Sequence, residues 1–163
     1  MSFAEDGGDD LGLETLPGRN WPTITQFSIF LENRVGRLLE VVRLFQGSKV
    51  RIAGLSIVDA ADCCIVRMIL SHPEQGREIL ERAKLAFSDS ELLVVELPGG
   101  SLGLVELCMA LLRAELNIHY AYPLILRPHE RASMALHIDN VELASSMLRE
   151  RGFEILSEVD LQN

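Results

Sequence analysis

The feature that most limits what this chain can fold into is an internal repeat. Leu38, Val41, Phe45, Val50 and Ile52 are matched in order, at one constant offset, by Leu104, Leu107, Leu111, Leu116 and Ile118. The glycines prefer an offset two residues smaller, which sets Gly36 on Gly100 and Leu38 on Leu102. Both hold if the second strand–helix loop is two residues longer than the first. A chain of 163 residues that repeats once has room for two small units of roughly 70 residues each.

Hydrophobic periodicity then types the elements. Phe27, Ile29 and Leu31 alternate with polar neighbours, the period of a strand with one buried face. A turn at Asn33–Gly36 leads into Leu38, Val41, Val42 and Phe45, one face of a helix that Gly47-Ser48 stops. Val50–Val58 reads as a second strand whose apolar parity shifts at Gly54, the mark of a bulge or a close backbone approach. Across Asp59–Asp62, Cys64, Val66, Met68 and Leu70 form the core face of a third strand. Pro73 opens a second helix, with a buried stripe expected from Ile79, Leu80, Ala83 and Phe87.

From a strand at 92–97 the order starts again. Pro98–Ser101 leads to a helix with an expected inner face of Leu104, Leu107, Cys108 and Leu111. Strands at 118–126 and 132–138 are joined by the turn Arg127–Glu130. A helix then runs from Asn140, a good N-cap, to Gly152, with Leu143, Ala144, Met147 and Leu148 facing inward. Residues 153–159 read as the closing strand. Only one strand, near 91–97, lies between the halves where two complete units need two, so that segment is expected to be long or shared. The fold class that follows is α+β: two ferredoxin-like βαββαβ units in tandem, with antiparallel sheets and helices on one face. The expected division is an acidic, disordered N-terminal arm at 1–21, a first unit at 22–91 and a second at 92–163.

Composition narrows the function. Apolar residues make up 48%, enough for a core, and no apolar run approaches the ~18 residues of a membrane span. No secretory signal is expected. Three cysteines, with Cys63 and Cys64 adjacent, fit reduced thiols in a cytoplasmic protein better than a disulfide framework. Cys108 is expected in the core. A net charge of −9, from 15 basic and 24 acidic residues, repels phosphate backbones, so no nucleic-acid partner is expected. His72, His119, His129 and His137 lack metal-ligand spacing, and no metal or cofactor is expected. No nucleophile–base–orienter set or phosphate loop is evident, so the chain reads as a non-enzyme.

The segment Phe30-Leu31-Glu32-Asn33-Arg34-Val35-Gly36-Arg37-Leu38-Leu39-Glu40-Val41 resembles the opening strand, loop and helix of an ACT domain. Its Leu-Glu-Asn-x-x-Gly-x-Leu form is especially similar to the regulatory small subunit of acetolactate synthase. The layout from about 22 to 161 looks like stand-alone tandem ACT proteins. In that family such loops lie at interfaces between units, and the physical logic is plain. A helix N-terminus offers unpaired N–H groups to a carboxylate. Gly36 lets backbone approach a ligand, and the Asn33 amide offers a donor and an acceptor.

Carried over by position, the resemblance implies a ligand site at Asn33, Arg34, Val35, Gly36 and Leu38, with an opposing wall from Ile52, Ala53 and Gly54 of a neighbouring copy. A weaker second site is implied at Gly99, Gly100 and Ser101, with His119 and Tyr120 on the corresponding strand, because there the Asn33 amide has no counterpart. The expected function is regulation by a bound amino acid, with branched-chain amino acids first. The expected assembly is a homodimer or larger homo-oligomer, with a metabolic enzyme as a further partner. Two alternatives remain open: a ligand-free protein–protein interaction module, and a regulatory subunit of an acetolactate synthase.

Overall fold

A computed structural model describes residues 21–163, so the expected acidic arm, all but its last residue, lies outside the described residues. The first half contains β1 (Ile24–Glu32), α1 (Arg37–Arg43), β2 (Ile52–Ala60), β3 (Cys63–Leu70), α2 (Pro73–Arg82) and β4 (Ala86–Glu96). The second adds α3 (Ser101–Arg113), β5 (Ile118–Pro123), β6 (Ser133–Ile138) and α4 (Val141–Glu150), with short 3-10 turns at Pro128–Glu130 and Glu158–Leu161. All strands join one antiparallel six-stranded sheet in the order β2-β3-β1-β4-β6-β5. Among the described residues no helix is long and apolar enough to cross a membrane.

Strand β4 serves both halves. Ala86–Leu92 pairs with β1, and Leu93–Glu96 pairs with β6. Residues 154–156 pair with β4 in place of a full closing strand: Glu96 N donates to Glu154 O, Leu156 N donates to Val94 O, and Val95 bridges Ile155. The expected strand at 153–159 is therefore cut short. Ser157 and Asp160 form a capping box that turns the chain into a 3-10 helix instead.

Alternation along the strands divides the core into three parts. Phe27, Ile29 and Leu31 of β1 pack with Val66, Met68 and Leu70 under α1 and α2. Leu93 and Val95 of β4 pack with Leu107, Leu111, Ala144 and Leu148 under α3 and α4. The alternate residues, Ile24, Ala53 and Ile69 from one half and Leu92, Val94, Tyr122, Leu124 and Ala135 from the other, meet on the helix-free face. The sheet curls until its two edge strands touch. Gly54 bridges Leu124, and Ala53 O accepts from the N–H groups of Ile125 and Leu126 at 2.7 and 3.1 Å. The parity shift at Gly54 is a register slip between Ile52 and Gly54, and a Cβ there would lie 3.3 Å from the Tyr122 ring. A side chain there would press on that ring across the contact between the halves.

Several expected helix faces are rotated. α2 ends at Arg82, because Lys84 takes a left-handed backbone (φ 54°). Phe87 therefore belongs to β4, opposite Ile29 and edge-on to Phe27 at 5.8 Å. In α3 the buried residues are Gly103, Leu107, Ala110 and Leu111, while Leu104 and Cys108 are exposed. In α4 they are Ala144, Ser145 and Leu148, with Leu143 exposed.

Candidate functional site

The first strand–helix loop is open. Gly36 holds φ 88° at the start of α1, and a Cβ added there would meet nothing within 4 Å. Val35 is 99% exposed. The Asn33 amide is engaged by its own chain, with Nδ2 donating to Asp59 Oδ1 at 3.0 Å. Arg34 lies 3.9 Å from both Glu32 and Glu40, and Leu38 is half-buried against the core below. Ile52, Ala53 and Gly54 stand at the other end of β2 from Asp59. Ala53 and Gly54 are buried against the chain's own second half. The structure thus gathers 33–38 and separates them, within one chain, from 52–54.

The second loop is concave. Gly99 (φ 73°) and Gly100 (φ 63°) carry the chain from Leu97, whose N–H donates to Ala132 O at 2.8 Å, into α3 at Ser101. Gly103 lets helix and loop lie in contact, since a Cβ there would meet Pro98 O at 2.4 Å. A cleft of about 450 Å³ separates Leu97–Gly100 from Arg127, Glu130, Arg131 and Ala132. Sequence reasoning saw residues 127–130 only as a turn. Two arginines flanking a Pro-His-Glu turn were the available signal.

A buried carboxylate fixes that turn. Glu96 is only 2% exposed, with Oε1 2.6 Å from His129 Nδ1 and Oε2 3.5 Å from Arg131 Nη1. His129 and Glu130 both hold left-handed backbones (φ 56° and 59°), uncommon for residues with a Cβ. His129 Nε2 also lies 3.6 Å from Asp160, tying the turn to the C-terminal 3-10 helix. The hydrogen bond to Glu96 raises the His129 pKa above the ordinary histidine value, and the charges of Glu96 and Asp160 add to it.

His119 and Tyr120 are not part of this cleft. They lie at the far end of β5, beside Ile138 and His137. Tyr120 belongs to the contact between the halves: its ring stacks on His137 at 4.8 Å, the Arg67 guanidinium covers it at 3.8 Å, and its hydroxyl accepts from Gln26 Nε2 at 2.8 Å. Gln26 is fully buried and its Oε1 accepts from Tyr122 at 2.6 Å. Burial pushes the Tyr122 phenol pKa well up, so it stays a donor. Neighbouring His137 is shifted the other way, by burial first and then by His119 and Arg67.

Chemically, the second cleft is lined by the loop that leads into α3, by the guanidinium groups of Arg127 and of Arg131, the latter 3.5 Å from Glu96, and by the Glu130 carboxylate. Guanidinium groups and a carboxylate side by side are chemically suited to a ligand that carries both a carboxylate and an ammonium. Among the described residues, no group of histidine, cysteine and acidic side chains is arranged to hold a metal.

Comparison with solved structures supports the architecture. The chain is similar to protein BT0572 from Bacteroides thetaiotaomicron, at 26% identity and TM-score 0.78, over 88% of this chain and 99% of that one. It is also similar to the ligand-free regulatory subunit of aspartate kinase from Thermus thermophilus, at 12% identity and TM-score 0.55, over 82% and 93% of the two chains. That second likeness is one of fold. No curated protein matches the sequence. With residues 22–163 matching the family described as the ACT domain pair, the chain belongs to that family.

Proposed function

We propose that this protein is a cytoplasmic regulator that binds an amino acid at its strand–helix loops and carries no chemistry of its own. The observation that carries this reading is the cleft between Leu97–Gly100 and Arg127–Ala132, where the glycine loop that leads into α3 lies across from Arg127, Arg131 and Glu130. Helix N–H groups and a guanidinium favour a carboxylate, and Glu130 suits the ammonium. The first loop has the Asn-x-x-Gly sequence but needs a wall from outside its own unit, because Val35 and the space beside Gly36 are open. The two loops are thus proposed as unequal sites, the second formed within one chain and the first completed by another copy. Branched-chain amino acids are the first ligands to try. The resemblance of residues 30–41 to the acetolactate synthase small subunit, and the apolar Val35 and Leu38, point that way.

A thermal-shift panel of the common amino acids tests the reading. A ligand at a hundredfold over its Kd stabilises the folded state by about 2.7 kcal/mol. Stabilisation that Arg127→Ala abolishes and Gly36→Val leaves intact assigns the second loop; the reverse pattern assigns the first. No ligand-dependent shift at millimolar concentrations would sink the proposal.

A further inference from the structure

The outward face of α3 is unlike that of the other helices. Leu102, Val105, Met109 and Leu112 are 72%, 57%, 47% and 76% exposed, and Leu104 and Cys108 are exposed beside them. The exposed residues of α2, by contrast, include Glu74, Glu78, Glu81 and Arg82, and α1 exposes Glu40 and Arg43 with Leu39. Spacings of three, four and three residues put the four α3 side chains on one seam, the a/d pattern of a helix that pairs with another. A contiguous apolar stripe of this kind marks an interaction surface rather than a solvated helix.

We propose that this face is the interface between two copies of the chain, with the α3 helices packed antiparallel about a two-fold axis. Charge placement identifies the occupant. Glu106 and Arg113 are exposed on one flank of the stripe, about two helical turns apart. A two-fold copy running the opposite way sets Glu106 of each chain alongside the partner's Arg113. One surface then supplies both halves of two ion pairs, which is the self-complementarity an isologous interface requires. Cys108, on the other flank, lies close to the two-fold axis and faces its own counterpart. A shallow cleft of about 210 Å³, lined by Glu106, Met109, Arg113 and Phe153 among others, gives the copy's side chains room beside the helix. The assignment does not depend on any ligand.

Sedimentation velocity of the full chain over a wide concentration range is the test. A dimer is expected, and Val105→Glu with Leu112→Glu should convert it to a monomer of unchanged circular dichroism. Glu106→Arg should weaken the dimer about tenfold, and Glu106→Arg combined with Arg113→Glu should restore it. A short bifunctional maleimide should join two chains through Cys108 and fail in Cys108→Ser, although Cys63 and Cys64 remain. A dimer that survives the double glutamate variant, or one joined through Cys63 or Cys64, overturns the assignment. So does a monomer, whether Cys108 reacts freely with a thiol reagent or is shielded by another part of its own chain.

Discussion

At the residue scale, His129 ties three segments together and gives a signed prediction. Its pKa is raised in the folded protein by the hydrogen bond to Glu96, a bond the unfolded chain lacks. A group raised on folding stabilises fully below its unfolded value, about 6.5, and the stabilisation is lost as pH rises through the folded value. The melting-temperature gap between the native protein and His129→Gln should therefore be widest below the unfolded value of about 6.5 and narrow as the pH rises above it. A gap that stays level or widens with pH would exclude the Glu96 bond as its source. Comparing the two proteins at each pH also cancels His137, whose lowered pKa works in the opposite direction. Gln26 offers a second case. Removing the Tyr122 hydroxyl leaves the buried Gln26 Oε1 without its donor. Tyr122→Phe should cost about 1–3 kcal/mol, read by urea denaturation, despite removing only one oxygen. Neither partner stood out in the sequence as polar core, because Gln26 occupies the slot of an ordinary solvent-facing strand residue.

At the element scale, α3 sets helix propensity against packing. Gly103→Ala should gain about 1 kcal/mol in helix propensity. The new Cβ, however, would lie 2.4 Å from Pro98 O and 3.1 Å from Leu97 C, backbone atoms that cannot swing aside. Overpacking costs typically about 1–3 kcal/mol, so after the propensity gain a net destabilisation of up to about 2 kcal/mol and distortion of the 97–101 loop are expected; a more stable Gly103→Ala protein would show that the loop yields. The same helix explains a limit on what the sequence reveals. The inner face was expected at Leu104 and Cys108, yet Gly103 and Ala110 are turned inward. A helix apolar on nearly every side has no clear stripe for periodicity to find, and small residues face the sheet because they allow close approach. Strand β4 is long and shared, as expected, but it starts at Ala86 rather than near 91, for a different reason. Ser88, Asp89, Ser90 and Glu91 look like a loop, but hydrogen bonds to β1 hold them extended and Arg77 binds Asp89 at 2.5 Å. The repeat, the bulge at Gly54, the Asn140 cap and both glycine loops were legible because each is local. The Arg127–Arg131 wall was not, since only the pairing of β5 with β6 and of Leu97 with Ala132 brings it to the loop.

At the scale of the whole molecule, two repeats do not make two independent domains. Strand β4 is one continuous element of the single sheet, its first part pairing with β1 of one half and its second part with β6 of the other. Ile24, Ala53 and Ile69 share a buried cluster with Leu92, Val94, Tyr122 and Leu124 across the helix-free face. Burying a side chain of this kind contributes about 1.5–3 kcal/mol, so exposing the cluster by parting the halves costs a large share of the ~5–15 kcal/mol that stabilises a typical domain. Opening this contact is therefore expected to unfold both halves together. Calorimetry should accordingly give one unfolding transition, with calorimetric and van't Hoff enthalpies in agreement once self-association, where measured, is included. Tyr122→Phe in the second half and Met68→Ala in the first should both lower that single transition without splitting it. Two resolved transitions, or a substitution that moves only one part of the melt, would mean that the halves unfold separately and that the shared strand does not couple them.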